Sequence, residues 1–296
     1  MSRVSFIGTG NMGERMAANV AKAGFIIKIY DIDHPRAASV ATRIGATVAK
    51  SLTDVADCDV CITMLPNSEI VQEVLIRGDN GAFLRNAAPK TVVIDMSSSQ
   101  STKTQETGRL LAEKGVVLID APVSGGVARA ENGTLAIMIG SDDDAALESV
   151  ISVLEAMGQK LFRVGRLGAG DAMKAANNFV AAAGYAAAAE ALAMGKAFGL
   201  DPELMVEILN VSTGRSFITE VLIKDHVLTG SYASGFALGL LAKDVGIAAR
   251  MGDDLKLDVP MCRLVHERYQ QAQDGLGSTC DNSQAIRGWY GQLWQK

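Results

Sequence analysis

The feature that most narrows the fold of this chain is Gly8-Thr9-Gly10-Asn11-Met12-Gly13. It follows the apolar run Val4-Ser5-Phe6-Ile7 and opens a helical pattern from Met12 to Ala23 that Gly24 closes. A glycine-rich turn between a strand and a helix has a physical use. The first glycine permits the tight turn, the second lets backbone approach a pyrophosphate, and the third packs helix against strand. The helix N-terminus then offers amides to the anion.

Ile26-Ile27-Lys28-Ile29-Tyr30 reads as the next strand, and Asp31 ends it, about 20 residues beyond the glycines, where a carboxylate accepts hydrogen bonds from the adenosine ribose. Asp31 would repel a 2′-phosphate, and Ile32-Asp33-His34 brings no cation to neutralise one. NAD is therefore expected over NADP, with Gly8, Gly10, Asn11, Met12, Gly13 and Asp31 as binding residues.

Further β-branched runs at Val48, Val60 to Met64, Val92 to Ile94, Val116 to Ile119 and Ala136 to Ile139 alternate with helical patterns such as Ser68 to Leu75 and Thr102 to Lys114. This predicts an α/β Rossmann domain, a doubly wound and mostly parallel sheet, over 1–164. Met64-Leu65-Pro66-Asn67-Ser68 and Asp95-Met96-Ser97-Ser98-Ser99 follow strands on the carboxyl edge, where their polar groups are expected to line the nicotinamide half.

After Val164 alanine, leucine and methionine recur at helical spacing, predicting an all-α domain over 165–296. Its first helix runs from Asp171 to Phe198, and Asp201-Pro202 starts the next. A helix about 40 Å long at 1.5 Å per residue exceeds the needs of a small domain. Part of its alanine-rich face is expected to be covered by another subunit, giving a homodimer or homotetramer.

Basic and acidic residues, 28 and 33 over 296 positions, give a net charge of -5 with no basic run, which argues against a nucleic-acid partner. Met1-Ser2-Arg3 leads directly into the first strand without the apolar region of a secretory leader, so the cytoplasm is expected. The apolar tract from Phe179 to Ala189 is short of the roughly 20 residues that span a bilayer. Cys58 and Cys61 form a CxxC, but inside an apolar strand pattern, and Cys262 and Cys280 have no matching spacing. Structural thiols and no metal site are expected.

Four motifs stand in order along nearly the whole chain: Gly8 to Gly13; Asp120-Ala121-Pro122-Val123-Ser124-Gly125-Gly126; Gly168-Ala169-Gly170-Asp171-Ala172-Met173-Lys174-Ala175-Ala176-Asn177-Asn178; and Lys243-Asp244. Together they resemble the β-hydroxyacid dehydrogenase family, in its 3-hydroxyisobutyrate dehydrogenase and tartronate semialdehyde reductase branch. The resemblance implies that Lys174 is the catalytic lysine and Asn178 its partner one turn on. It further implies a substrate-carboxylate loop at Ser124, Gly125 and Gly126, and Lys243 beside the nicotinamide. It also implies cofactor contacts at Leu65, Pro66 and Ser98 and substrate contacts at Phe236 and Asp244. Read from the residues, Lys174 and Asn178 share a helix face at a spacing of four, with Asn177 close by. Small residues after a strand expose amides to a carboxylate, and the Ser124 hydroxyl adds a donor. A lysine beside a cationic nicotinamide, partly desolvated, gives up its proton more readily, as an acid/base group must.

Two departures narrow the chemistry. The resembling 6-phosphogluconate dehydrogenases carry histidine near the lysine and glutamate after the asparagine, for decarboxylation; here Met173 and Phe179 stand instead. Imine reductases replace the lysine that this chain keeps. The expected reaction is oxidation of the terminal hydroxyl of a small 3-hydroxy acid to its semialdehyde, or the reverse. Tartronate semialdehyde remains an alternative, since the tail Asp274-Gly275-Leu276-Gly277-Ser278 resembles its reductases. A sulfonated aldehyde such as sulfolactaldehyde is another, with Arg129 and Arg215 as candidate cations. A dinucleotide-binding module without turnover is the reading from a different class, and Lys174 argues against it.

Overall fold

The computed structural model describes residues 2–294. It divides into two compact units, Met1–Lys174 and Ala175–Lys296.

The first unit starts β1 (Arg3–Ile7), α1 (Gly13–Lys22), β2 (Ile26–Tyr30), α2 (His34–Ile44), β3 (Thr47–Val48) and α3 (Leu52–Ala56). It continues β4 (Val60–Thr63), α4 (Ser68–Gln72), α5 (Gly78–Asn86), β5 (Val92–Asp95), α6 (Ser101–Ala112) and β6 (Val117–Asp120). A short β7 (Val123–Ser124), α7 (Gly126–Glu131), β8 (Leu135–Gly140), α8 (Asp144–Met157) and β9 (Gly158–Gly165) complete the sheet.

The strands line up β3-β2-β1-β4-β5-β6-β8-β7, with β9 beside β8. From β3 through β6 every pairing is parallel. The antiparallel pairings are those of β6 and β7 with β8. The order 3-2-1-4-5-6 reverses direction between β1 and β4, and such a switch point opens a crevice at the carboxyl ends of the strands. Apolar side chains cover both faces of the sheet: Phe6, Ile29, Ile62 and Ile94 on one, Ile7, Cys61, Val93 and Leu118 on the other. Burial on both faces is why these strands read as continuous apolar runs instead of alternating ones.

Two elements depart from the sequence pattern. The helix expected from Ser68 to Leu75 is α4 followed by a π-helical turn at Glu73–Arg77, which leads into Gly78-Asp79-Asn80-Gly81, where Asp79, Asn80 and Gly81 take positive φ. β9 carries no apolar signature because it is an edge strand, exposed along most of its length.

α9 (Ala169–Phe198) begins in the first unit and supplies the spine of the second. The second unit adds α10 (Pro202–Asn210), a π-helical segment at Ile218–Leu228, α11 (Leu238–Asp254), α12 (Pro260–Leu276) and α13 (Ala285–Tyr290). Its core gathers Ala182, Tyr185, Ala189 and Leu192 of α9 with Val245, Val265, Tyr269 and Ile286. One face of the alanine-rich helix is thus buried by its own unit, while Val180, Met194 and Phe198 remain exposed. Among the described residues no helix is long and apolar enough to cross a membrane.

Candidate active site

The glycine turn closes β1 and opens α1. Gly8 takes φ +93, and a Cβ there would lie 2.3 Å from the Met64 carbonyl oxygen at the end of β4. Gly13 packs tighter still, with the Gly8 carbonyl oxygen 2.0 Å from where a Cβ would stand. A Cβ at Gly10, by contrast, would meet nothing within 4 Å. The first and third glycines are required by the protein's own packing, and the second faces open space. Met12 at the N-cap of α1 supplies no side-chain cap, in contrast to Asp33, Ser51 and Asn67 ahead of α2, α3 and α4; the Glu14 and Arg15 amides of the first turn donate to the Gly10 and Met12 carbonyls. Asn11 lies within the same turn and its carbonyl accepts from Arg15.

Asp31 is tied to this turn. Its Oδ2 accepts from the Thr9 amide at 2.6 Å and the Thr9 hydroxyl at 2.7 Å, and its Oδ1 from the Asp33 amide at 2.9 Å. Partial burial pushes this carboxyl up, but those three bonds and the charge of Arg36 outweigh it and hold it below the usual carboxylate range. Four lone-pair positions with three donors leave capacity for a ribose hydroxyl. The sequence reading missed both Thr9 and Arg36, the third residue of α2.

Leu65 and Pro66 follow β4, beside Gly8: the Leu65 side chain lies 3.1 Å from where a Gly8 Cβ would be, and its amide donates to the Ser97 hydroxyl at 2.9 Å. Ser98 is half-buried in the loop after β5, between buried Ser97 and Ser99.

Below these loops lies a polar network that the sequence reading did not single out. Register places Thr63, Asp95 and Asp120 side by side at the carboxyl ends of β4, β5 and β6. Asp95 accepts from the Thr63 hydroxyl, the Ser97 amide and the Ser99 hydroxyl at 2.8–3.0 Å. Asp120 accepts from the amides of Gly168 at 2.7 Å and Asp171 at 2.9 Å. Asp171 in turn accepts from the Thr104 hydroxyl at 2.7 Å and the Ser99 amide at 3.3 Å. All three carboxyls are buried. Burial pushes Asp120 up to about 6 despite its amide donors, and burial followed by the charges of Asp120 and Asp95 pushes Asp171 well above the carboxylate range. The available signal was three acidic residues each following or starting an apolar run.

Ser124 sits in β7, and Gly125 and Gly126 form an exposed turn with φ of +136 and +66 that leads into α7, again without a side-chain cap. Arg129 packs over it, its Cδ 2.5 Å from where a Gly125 Cβ would stand. Lys174 is half-buried on the second turn of α9.

In the second unit Asn177 donates to Asn178 Oδ1 at 3.1 Å, and Asn178 donates to Asp244 Oδ2 at 2.6 Å. The Lys243 ammonium lies 2.9 Å from Asp244 Oδ1, an ion pair without in-line hydrogen-bond geometry. Asp244 is 3% exposed. The structure therefore brings Asn177, Asn178, Lys243 and Asp244 together, as one polar cluster in a helical core. Phe236 packs at the edge of that core, and its carbonyl accepts from Asn282. Arg215 is paired with Glu220 at 2.6 Å. The four cysteines are free, three of them buried.

A parallel sheet with the 3-2-1-4-5-6 order and a glycine turn at its switch point is the architecture of dinucleotide-binding proteins. A family model for the NAD binding domain of 6-phosphogluconate dehydrogenase matches residues 3–165, and one for the NAD-binding of NADP-dependent 3-hydroxyisobutyrate dehydrogenase matches 168–289. The chain is 36% identical to 2-(hydroxymethyl)glutarate dehydrogenase of Eubacterium barkeri, over 97% of this chain and 94% of that one. It is 35% identical to the NAD-dependent L-serine dehydrogenase of Pseudomonas aeruginosa, over 91% and 92%. The solved 3-hydroxyisobutyrate dehydrogenase of Mycobacterium tuberculosis with L-serine superposes with a TM-score of 0.89 at 32% identity, covering 98% and 99% of the two chains. The chain belongs to the family of 3-hydroxyisobutyrate dehydrogenases and related hydroxyacid dehydrogenases, and NAD is its cofactor.

Proposed function

We propose that this enzyme oxidises the terminal hydroxyl of a small 3-hydroxy acid to the semialdehyde, or runs the reaction in reverse, with Lys174 as its acid/base residue. The supporting observation is that Lys174 stands half-buried at the start of α9 in a chain of this family. Bound NAD supplies the hydride acceptor. Gly8, Gly10, Asn11, Met12 and Gly13 would hold its pyrophosphate, Asp31 would accept from its ribose, and Leu65, Pro66 and Ser98 would support the nicotinamide half. Lys174 takes the hydroxyl proton as the hydride leaves carbon, and returns it in the reverse direction. Ser124 and the amides of Gly125 and Gly126 bind the substrate carboxylate.

Asn178 and Asn177 hold the substrate hydroxyl, with Phe236 and Asp244 as further substrate residues and Lys243 assigned to the cofactor. The family resemblance supports these last roles, and the Asn177–Asn178–Asp244–Lys243 cluster is consistent with them. We assign the protein to the cytoplasm as a homodimer or homotetramer. The exposed apolar side chains of Val180, Met194 and Phe198 on α9 support self-association.

A second reading concerns the side group. The stem of Arg129 lies against Gly125, which favours a substrate with a second anionic group, a carboxylate or a sulfonate. The dicarboxylate named in the Eubacterium barkeri relative is of that kind. The test is NAD reduction at 340 nm with 3-hydroxyisobutyrate, D-glycerate, L-serine, 4-hydroxybutyrate, L-threonate, 2-(hydroxymethyl)glutarate and a sulfonated diol. Turnover of at least one 3-hydroxy acid is expected, and none at all would contradict the assignment. Dependence of the best kcat/KM on Arg129 would separate the doubly anionic substrates from the rest.

A further inference from the structure

We propose that Asp120 is a positioning residue for Lys174, holding the start of α9 so that the lysine keeps its place relative to the substrate loop. The proposal rests on reading Lys174 as the acid/base group.

Asp120 ends β6 and stands four residues before Ser124, so one short stretch of chain carries both the anchor and the loop. Its Oδ1 accepts from the Gly168 amide and its Oδ2 from the Asp171 amide, both at the head of α9. The first amides of a helix have no partner within it, and a residue just ahead of the helix usually caps them. Here the cap comes from a strand 48 and 51 residues earlier. Lys174 follows Asp171 by three residues, one turn along the same rigid helix. A second tether runs from the Asp171 carboxylate to Thr104 on α6 and to the amide of Ser99, whose hydroxyl donates to Asp95.

The surroundings are shaped to admit this carboxylate. A Cβ at Gly140 would lie 2.3 Å from Asp120 Oδ1, and one at Gly170 would lie 2.7 Å from Oδ2 and 2.3 Å from the Met138 carbonyl. Burying three carboxyls in one network destabilises a fold relative to apolar filling. An apolar side chain would fill the space, but it would not hold two backbone amides. Displacing a reacting group by about 1 Å costs on the order of 10²-fold in rate, so a fixed helix start has a direct kinetic use.

The donors on the two carboxylates differ, and that makes the test. Backbone amides donate only, so an asparagine at 120 satisfies one of them and turns its own NH₂ toward the other. The Thr104 hydroxyl can reverse, so an asparagine at 171 keeps both of its bonds. We expect Asp120→Asn to lower kcat roughly 10- to 100-fold. KM and the Kd for NADH, followed by fluorescence, should stay within about threefold. The solvent deuterium isotope effect on kcat should rise, because proton transfer through a misplaced Lys174 becomes the slow step. Asp171→Ala should behave likewise, and Asp171→Asn should recover a large part of the lost turnover.

An Asp120→Asn enzyme that binds NADH and keeps kcat within twofold, or loses kcat with no change in isotope effect, overturns the proposal. If that variant does not fold, Thr104→Val decides. A severalfold fall in kcat with a raised isotope effect supports the proposal, and wild-type values for both overturn it. Lys174→Ala separates the two claims: an active Lys174→Ala enzyme defeats the acid/base reading itself, whereas an inactive one beside a fully active Asp120→Asn enzyme defeats only the positioning role.

Discussion

The side-chain amide of Asn178 donates to Asp244 at 2.6 Å, inside a helical core where Asp244 is 3% exposed. A buried donor that loses its acceptor costs about 1–3 kcal/mol. Asp244→Ala should therefore destabilise the second unit by that amount in urea unfolding followed by tryptophan fluorescence, since Trp289 and Trp294 both lie in this unit. A change below about 0.5 kcal/mol would mean that the Asn178 amide finds another partner, and the pairing would lose its structural weight.

Asp31 is the residue proposed to set the cofactor preference. It is held ionised by Thr9 and Asp33, and an ionised carboxylate repels a 2′-phosphate. Wild-type kcat/KM should be higher with NAD, and Asp31→Ser should weaken NAD and shift the ratio toward NADP, since the charge of Arg36, which acts on Asp31, would then be left to a phosphate. An Asp31→Ser enzyme with an unchanged ratio would place the discrimination elsewhere.

Much of the first unit was legible in the sequence for a simple reason. A parallel strand buried on both faces must be a nearly unbroken apolar run, so β1, β4, β5 and β6 announce themselves; β2, where buried Ile27 and Ile29 alternate with part-exposed Lys28 and Tyr30, shows through its β-branched residues, and the glycines fix the turn between β1 and α1. β9 was not legible, because an exposed edge strand such as Gln159-Lys160-Leu161-Phe162-Arg163 lacks the burial that writes a pattern. The Asp95, Asp120 and Asp171 network was hidden for a different reason. Its members lie far apart in the chain, and only the register of β5 and β6 and the start of α9 bring them together. Asp120 was visible as part of a motif, yet nothing in the motif says that it faces the helix and not the substrate. The Asn178–Asp244 pairing needed α9 and α11 packed together, which no local spacing predicts.

The raised Asp120 carboxyl carries a pH signature. Its folded value of about 6 lies above the ordinary 3.8, so the folded state binds the proton more tightly than the unfolded one. The stability this contributes is fully present below about pH 3.8 and is lost as pH rises through about 6. Asparagine at 120 lacks this dependence. The stability difference between wild type and Asp120→Asn should therefore shift against the wild type by about 2 kcal/mol between pH 4.5 and 7.5, measured by urea unfolding of both proteins. A difference independent of pH would show that the Asp120 carboxyl titrates as an ordinary one.

Self-association is expected from the apolar side chains that α9 leaves exposed. Sedimentation at micromolar concentration should show a species at two or four times the chain mass of 31.1 kDa. A single species near the chain mass would remove this expectation.

The assignment of Lys174 is the centre of the account, and its substitution is the most direct test. Positioned proton transfer is worth about 10² to 10⁴ in rate, so Lys174→Ala should lower turnover on the best substrate by that range. NAD affinity should stay nearly unchanged, because the dinucleotide is assigned to the Gly8 to Gly13 turn and Asp31. Lys174→Arg should not restore activity, since a guanidinium stays protonated near neutral pH and cannot accept the proton. A Lys174→Ala enzyme that kept even a third of wild-type turnover would contradict the account and make Lys243 the next residue to test.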